Sequence, residues 1–361
     1  MSLGAPFADR LARLRAAIAD RGAQGLLVSN LVNVRYLSGF SGSSGWLLIA
    51  QDAARLVSDF RYRLQAAEEA PGFEFVEIKR ADEDLPGAIA ALGCEAVGFE
   101  AAHVTVDTHR RLSERLPGVR LEPTTDLVES LRITKDEGEL ALLTRAAQLT
   151  DAAMKHALSL LAPGVGERAL AVEIEAFILR AGGEVAFGPI VAAGARGALP
   201  HARPTEHAIQ RGEAVILDLG ASVDGYAVDL TRTVVVGAAS PRQREVYALC
   251  LAAQQAGLEA LRPGAAAEAV DAAARGVIEQ AGLGECFGHG LGHGVGLEVH
   301  EAPRLARRES RALEAGMVVT VEPGIYLPGE FGVRIEDTAV VTPQGRRLLT
   351  QSPKTQEIPA V

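Results

Sequence analysis

Apolar residues recur every three or four positions along KDEGELALLTRAAQLTDAAMKHALSLL (residues 135–161), with acids in the first turns, a pattern that predicts a long amphipathic helix. The same period predicts helices over ERALAVEIEAFILRAGG (167–183), PRQREVYALCLAAQQAGLEAL (241–261) and AAEAVDAAARGVIEQAG (266–282). Between and after them the pattern changes to dense apolar runs of strand length. AVILDLGASVDGYAVDLTRTVVVG (214–237) predicts a hairpin turning at Asp224-Gly225, a strong two-residue turn signal. GMVVTVEPGIYL (316–327) and FGVRIEDTAVVT (331–342) predict a second strand pair. Helices then hairpin, twice over, suggest a duplicated α+β unit.

The first 125 or so residues read differently. An opening helix leads into GLLVS (25–29), and VRYLSGFSGSSGWLLIA (34–50) predicts two β-rich pieces around a Gly/Ser turn. ARLVSD and FEFVEI predict further strands and DTHRRLSERL a helix, which makes a small α/β unit. The change of pattern sets the domains at residues 1–128 and 129–361. Two domains also suit 361 residues, a long chain for one core.

Composition narrows the class. Hydrophobic residues make up 48% and charged residues 23%, with no apolar run of membrane-spanning length and no signal-peptide centre in the opening helix. A net charge of −10 without a long basic block argues against nucleic acid as a partner. Cys94, Cys250 and Cys286 are scattered, with no CxxC, which argues for a reducing, cytoplasmic setting and against a thiolate zinc site.

The chemistry lies in the acids and histidines. With the turn at Asp224-Gly225, Asp229 falls opposite Gly220, and Asp218 shares its face as a diagonal neighbour roughly 7–8 Å away. Glu322 and Glu336 flank Gly329 symmetrically, so a symmetric loop sets them opposite each other. Paired like charges need something positive between them. Arg334 is one counter-ion but cannot serve all four. GHGLGHGVGLEVHE (288–301) adds His289, His293 and His300 among five glycines. His289 and His293 would stand about 13 Å apart on a strand, too far to share one ion. Oxygen-rich ligands with one imidazole suit two divalent cations such as Mn²⁺, Co²⁺ or Zn²⁺, which together can activate water and polarise a carbonyl. No GxSxG elbow, GxGxxG or GxxxxGK offers another chemistry.

These segments resemble the pita-bread metallopeptidase family of methionine aminopeptidases, aminopeptidase P, prolidases and creatinase. LDLGASVDGYAVDLTRT, GHGLGHGVGLEVHE, VEPGIY and VRIEDT resemble the family's ligand segments, implying Asp218, Asp229, His293, Glu322 and Glu336 as metal ligands. The implied fold is α+β: a creatinase-type N-terminal domain, then a pita-bread domain of two pseudo-symmetric halves. ALPHARPTE resembles the segment that places a histidine, here His201, beside substrate in proline peptidases, and VRYLSGFSGSSG resembles the N-terminal domain that methionine aminopeptidases lack. Creatinase does not keep the metal set, and non-catalytic modules of this fold, which bind histones or RNA, usually lose ligands too.

The resemblance implies hydrolysis of Xaa-Pro bonds by a hydroxide shared between two ions, Mn²⁺ first. Glu322 would carry the proton, and His201, His289 and His300 would line the substrate cleft. Arg304, in HEAPR, resembles a substrate-contacting arginine of compact prolidases and would read a dipeptide's carboxylate; Arg334 also lines the expected site. The short chain favours a dipeptidase, with aminopeptidase P as the alternative, and family members are often homodimers. Arg196-Gly197-Ala198 departs from the Asn followed by Ser or Ala common before LPH, and Gly188 stands where an acid is common.

Overall fold

The computed structural model describes residues 5–355 and 358–361, and the chain divides into two compact units, Met1–Arg132 and Ile133–Val361. The first holds strands β1 (Gly25–Val28), β2 (Trp46–Ala50), β3 (Ala54–Ser58), β4 (Glu74–Glu77), β5 (Ala96–Glu100) and β6 (Arg120–Thr124) in one sheet of order β4-β3-β2-β1-β5-β6. Its central strands are buried along their length, as the unbroken apolar runs require. Helices α1 (Ala5–Asp20), α2 (Leu31–Ser38), α3 (Arg63–Glu69), α4 (Ala81–Ala90), α5 (Val106–Arg115) and α6 (Leu127–Arg132) complete the unit.

One expectation fails here. VRYLS, read above as β-rich, belongs to α2. Asn30 caps that helix by accepting from the Val32 N–H, and Gly39 ends it at φ 84°. The β-branched and aromatic residues that suggested a strand instead bury Val34, Tyr36 and Leu37 on one side of a two-turn helix.

The second unit is built twice over. Helices α7 (Glu137–Leu160) and α8 (Glu167–Arg180) precede β7 (Glu184–Val185), β8 (Ile190–Ala193), β9 (Ala214–Leu219), β10 (Ala221–Val223), β11 (Tyr226–Ala227) and β12 (Leu230–Val235). Helices α9 (Pro241–Ala260) and α10 (Ala267–Gln280) precede β13 (Gly292–Gly294), β14 (Glu301–Leu305), β15 (Val318–Val321), β16 (Gly324–Leu327), β17 (Phe331–Arg334), β18 (Asp337–Thr342) and β19 (Gly345–Leu348). Each half packs helices on its own strands, and α7 also sets Leu143, Ala146 and Ala147 against Val295, Val318 and Val340 of the second half. Met154, Ile174 and Ile178 meet Val215, Leu217 and Val234 in the first half; Val246, Leu258 and Ile278 meet Val319, Val321 and Ile335 in the second.

Both predicted hairpins form in the predicted register, but each is divided between two sheets. In the first half β8, β9 and β12 form one sheet, while β10 and β11 join β7 in another. In the second half β15 and β18 lie in a five-stranded sheet, while β16 and β17 pair separately. The chain therefore bends out of one sheet and into the next near Gly220 and Asp229, and again near Glu322 and Glu336.

Candidate metal centre and substrate cleft

The acids stand where the strands change sheets. Asp218 is near the end of β9, and Asp229 occupies the gap between β11 and β12. Glu322 separates β15 from β16, and Glu336 separates β17 from β18. Asp229, Glu322 and Glu336 each have a strand on either side while their own backbone lies outside the ladders; Asp218 stays paired within β9. Other groups hold that backbone: Glu322 N–H donates to Leu291 O (2.8 Å) and Glu336 N–H to Thr231 O (3.1 Å).

His293 joins them from β13. Its Nδ1–H donates to Gly294 O (3.0 Å), which leaves Nε2 3.2 Å from Glu322 Oε1 and 3.8 Å from Asp229 Oδ2. Thr320 Oγ1 accepts from the His293 N–H (3.0 Å) and donates to Glu322 Oε1 (3.1 Å), fixing both side chains. Glycine beside His293 is required by backbone approach: a Cβ on Gly292 would collide with the Thr320 carbonyl of β15.

Arg334 is the counter-ion. Its guanidinium donates to Asp218 Oδ2 (2.5 Å), Thr231 Oγ1 (3.1 Å), Tyr326 Oη (2.8 Å) and Pro200 O (3.2 Å). Thr231 Oγ1 in turn donates to Glu336 Oε2 (2.7 Å). One cation among four acids, three of them buried and Glu322 half-buried, leaves an excess of negative charge, and the acids divide in response. Burial, then repulsion from Glu336, Asp218 and Glu322, pushes Asp229 well above the usual carboxylate range. Burial, then Glu322 and Asp218, does the same to Glu336. Burial also opposes ionisation of Glu322, but the His293 hydrogen bond and charge, with His289 and Arg334, outweigh it and lower its pKa.

Three carboxylate oxygens, Asp218 Oδ1, Asp229 Oδ1 and Glu336 Oε1, are buried with no hydrogen-bond partner. An orphaned buried oxygen is costly, and three in one cluster describe a cavity for something positive. One ligand atom each from Asp229, His293 and Glu336 lies within 4.8 Å of the others, a spacing that suits one cation between them. The donor set of carboxylates with one imidazole fits a hard or borderline divalent metal.

The cluster forms part of the wall of a cleft of about 1270 Å³. His201, His289, His300, Arg304 and Arg334 line it. The rings of His293 and His300 are 4.2 Å apart, and burial, then the neighbouring His293, depress the pKa of His300. His201 is exposed at the rim. Both ring nitrogens of His289 are occupied: Nδ1–H donates to Gly290 O (2.7 Å) and Nε2 accepts from Tyr326 Oη (3.0 Å). Arg304 lies directly opposite His293 in the β13–β14 pair and is exposed, with no ion pair among the described residues. Arg334, in contrast, is buried and spent on the acids, Tyr326 and Pro200.

Sequence reasoning missed Thr231, Thr320 and Tyr326, which orient the charged groups, since an isolated hydroxyl carries no spacing signal. Cys250 also lies close behind the site. Its thiol donates to Pro323 O (3.1 Å), and burial pushes its pKa up to about 12. That excludes it as a nucleophile.

A metal-ligating pita-bread peptidase is the class that this fold and site define, and comparison with known proteins agrees. Residues 141–343 match metallopeptidase family M24 and residues 10–134 match the creatinase/prolidase N-terminal domain. The chain belongs to metallopeptidase family M24. It is 35% identical to the Xaa-Pro dipeptidase of Pyrococcus furiosus over 95% of this chain and 98% of that one. Among solved structures, the Xaa-Pro dipeptidase from Bacillus anthracis superposes with a TM-score of 0.95 at 41% identity, covering 98% of this chain and all (100%) of that one. An X-Pro aminopeptidase from Thermotoga maritima superposes at 0.88 with 34% identity, covering 96% and 100%.

Proposed function

We propose that the protein is a dinuclear metallopeptidase that cleaves the Xaa-Pro bond, with dipeptides preferred. The observation that carries the reading is the cluster of orphaned carboxylate oxygens around His293. Asp218, Asp229, His293, Glu322 and Glu336 would hold two divalent cations. Bound there, the cations would supply Lewis acidity for the scissile carbonyl and lower the pKa of water.

The chain's own residues account for the rest. The His293 hydrogen bond and charge lower the pKa of Glu322 while those of Asp229 and Glu336 are raised, so its carboxylate is the one of these three best placed to take a proton and deliver it to the departing proline nitrogen. His300, held towards its neutral form, can donate a hydrogen bond to the substrate carbonyl or its developing oxyanion. His201 stands at the rim as a second hydrogen-bonding group, while His289 walls the cleft and buttresses Tyr326.

The preference for dipeptides rests on Arg304. An exposed, unpaired guanidinium beside the His293 strand suits a free carboxylate one residue beyond the cut, and a charge-assisted contact is a strong one. Proteins similar to this chain include both Xaa-Pro dipeptidases and an X-Pro aminopeptidase, so length preference is a separate measurement. Metal analysis should find about two ions per chain. Chelation should abolish hydrolysis of Ala-Pro and Mn²⁺ restore it; full activity of metal-free protein would refute the reading. A higher kcat/KM for Ala-Pro-Ala than for Ala-Pro would make the enzyme an aminopeptidase instead. With Arg304→Ala, only the dipeptide rate should fall.

A further inference from the structure

His201 is exposed, and its ring makes no hydrogen bond within the described residues. A rim histidine that acts on substrate has to be held by its backbone, and the loop around it is fastened at three places. Arg334 donates to the carbonyl of Pro200, the residue just before His201 (3.2 Å). Arg196 donates to the carbonyl of Arg203, two residues after it (2.5 Å). Glu167, on the first turn of α8, accepts from the Thr205 N–H (2.9 Å) and the Thr205 hydroxyl (2.8 Å).

Arg196 and Glu167 are themselves a pair. The Arg196 Nε lies 3.0 Å and 3.2 Å from the two Glu167 oxygens, and Glu167 also accepts from the Ala193 N–H (2.9 Å). The Glu167 side chain is fully buried, at 0% exposure, while Arg196 keeps 31%. A buried carboxylate with this many donors is well satisfied, and the planar guanidinium lets one residue reach both the acid and the loop carbonyl. The short 3₁₀ turn that carries Arg196, Gly194–Ala198, is seated against β17: a Cβ on Gly332 would run into the Gly197 carbonyl. β17 is the strand that ends in Arg334.

We propose that Arg196, through Glu167, is a positioning residue for His201. It forms the outer half of a clamp whose inner half is Arg334, so that the loop from 200 to 205 is registered on the acid cluster. Arg196 reaches no substrate in this arrangement; it acts by fixing where His201 stands. This rests on the peptidase reading above for its kinetic consequence, but not for its geometry.

The test uses Zn²⁺-loaded full-length protein with ¹³C-labelled histidine rings, together with Ala-Pro hydrolysis and metal analysis. The His201 resonance is identified by its loss in His201→Ala. In Arg196→Ala that resonance should shift or narrow while the His293 resonance stays in place and metal content is unchanged. The kcat/KM for Ala-Pro should fall about ten- to a hundredfold, the scale of a misplaced catalytic group. The double variant Arg196→Ala/His201→Ala should be no slower than His201→Ala alone, because the two act as one unit. Arg196→Lys keeps the charge but cannot reach acid and carbonyl together, so it should give an intermediate loss. It carries the same readouts if the alanine variant does not fold. An unmoved His201 resonance, or a double variant that loses the product of both single effects, overturns the proposal. A wild-type protein that leaves Xaa-Pro bonds intact overturns the peptidase reading instead, and the ring resonances still decide on the clamp.

Discussion

The two halves of the second unit are a hundred residues out of step and solve one problem with different residues. Helix α8 spans Glu167–Arg180 and α10 spans Ala267–Gln280. Each is preceded by a Pro-Gly pair and enters through an isolated antiparallel bridge, Gly166 with Ala208 and Ala266 with Ala312. Each must also hold a histidine-bearing segment. The first half does so with Glu167 on the helix and Arg196 in the segment. At the corresponding place in α10 stands Ala267. There the pair is Asp271 and Arg275, one helical turn apart. Arg275 donates to the carbonyls of Phe287 (2.9 Å) and His289 (2.7 Å), and Asp271 accepts from the Leu291 N–H (3.0 Å). The device, a buried carboxylate–arginine pair reaching loop backbone, is kept while its parts have moved. What duplication preserves here is the polar satisfaction of a segment.

The halves share the site more evenly, two acids each, and the largest expected effect breaks that sharing. Glu322→Gln, which removes the second-half acid whose pKa is lowered, should lower kcat by at least about 10²–10⁴. A near-normal steady-state rate would remove Glu322 from the chemistry. The first half's Asp229→Asn should lower bound metal as well as rate, measured by elemental analysis of the purified variant.

Next in size are the two clamps. Asp271→Ala strands Arg275, which is only 8% exposed, and should cost about 3–5 kcal/mol in denaturant unfolding. Arg196→Ala should cost less, because water reaches a side chain with 31% exposure and Glu167 keeps its backbone and hydroxyl donors. Equal losses would show that exposure does not distinguish the two clamps.

A smaller effect concerns pH in the metal-free protein. The folded pKa of Asp229 is raised, so the folded state resists ionisation that the unfolded chain undergoes from about pH 4 upward. Stability contributed by the neutral form is present below that point and lost as pH rises towards the folded pKa. In chelator, Asp229→Asn should therefore melt above wild type near neutral pH, with the gap closing towards pH 4. A gap that widens on acidification would contradict the assignment. Smallest are the helix starts: Asp136 caps α7 and Ser240 caps α9, both in capping boxes, and replacing either by Ala should cost about 1 kcal/mol.

Much of this was legible in the sequence. The turn at Asp224-Gly225 and the midpoint at Gly329 gave both hairpin registers, because antiparallel pairing is counted outward from a turn. Those registers paired the acids within each hairpin, and the resemblance, not the registers, implied that the two pairs meet. The breaks between sheets were not legible, since apolar runs on either side of Gly220 or Glu322 look continuous. The first half's clamp was also invisible: Glu167 and Arg196 are 29 positions apart, and nothing in either segment's periodicity points to the other. Arg334 was legible only in half. Its role as counter-ion followed from charge, but its bond to Pro200 depends on a loop 134 positions away. VRYLS misled because a two-turn helix is too short for its period to outweigh β-branched and aromatic content.

The thiol of Cys250, beneath Pro323, turns the second half into its own stopwatch. Alkylating reagents attack the thiolate, and while the fold is closed the Cys250 thiol is fully buried, bonded to the Pro323 carbonyl and pushed by burial towards its protonated form. Labelling at Cys250 therefore counts openings of the strands around Glu322. Its rate, followed by mass spectrometry of the peptide that carries Cys250, reports the free energy of that local unfolding when reclosing outpaces alkylation.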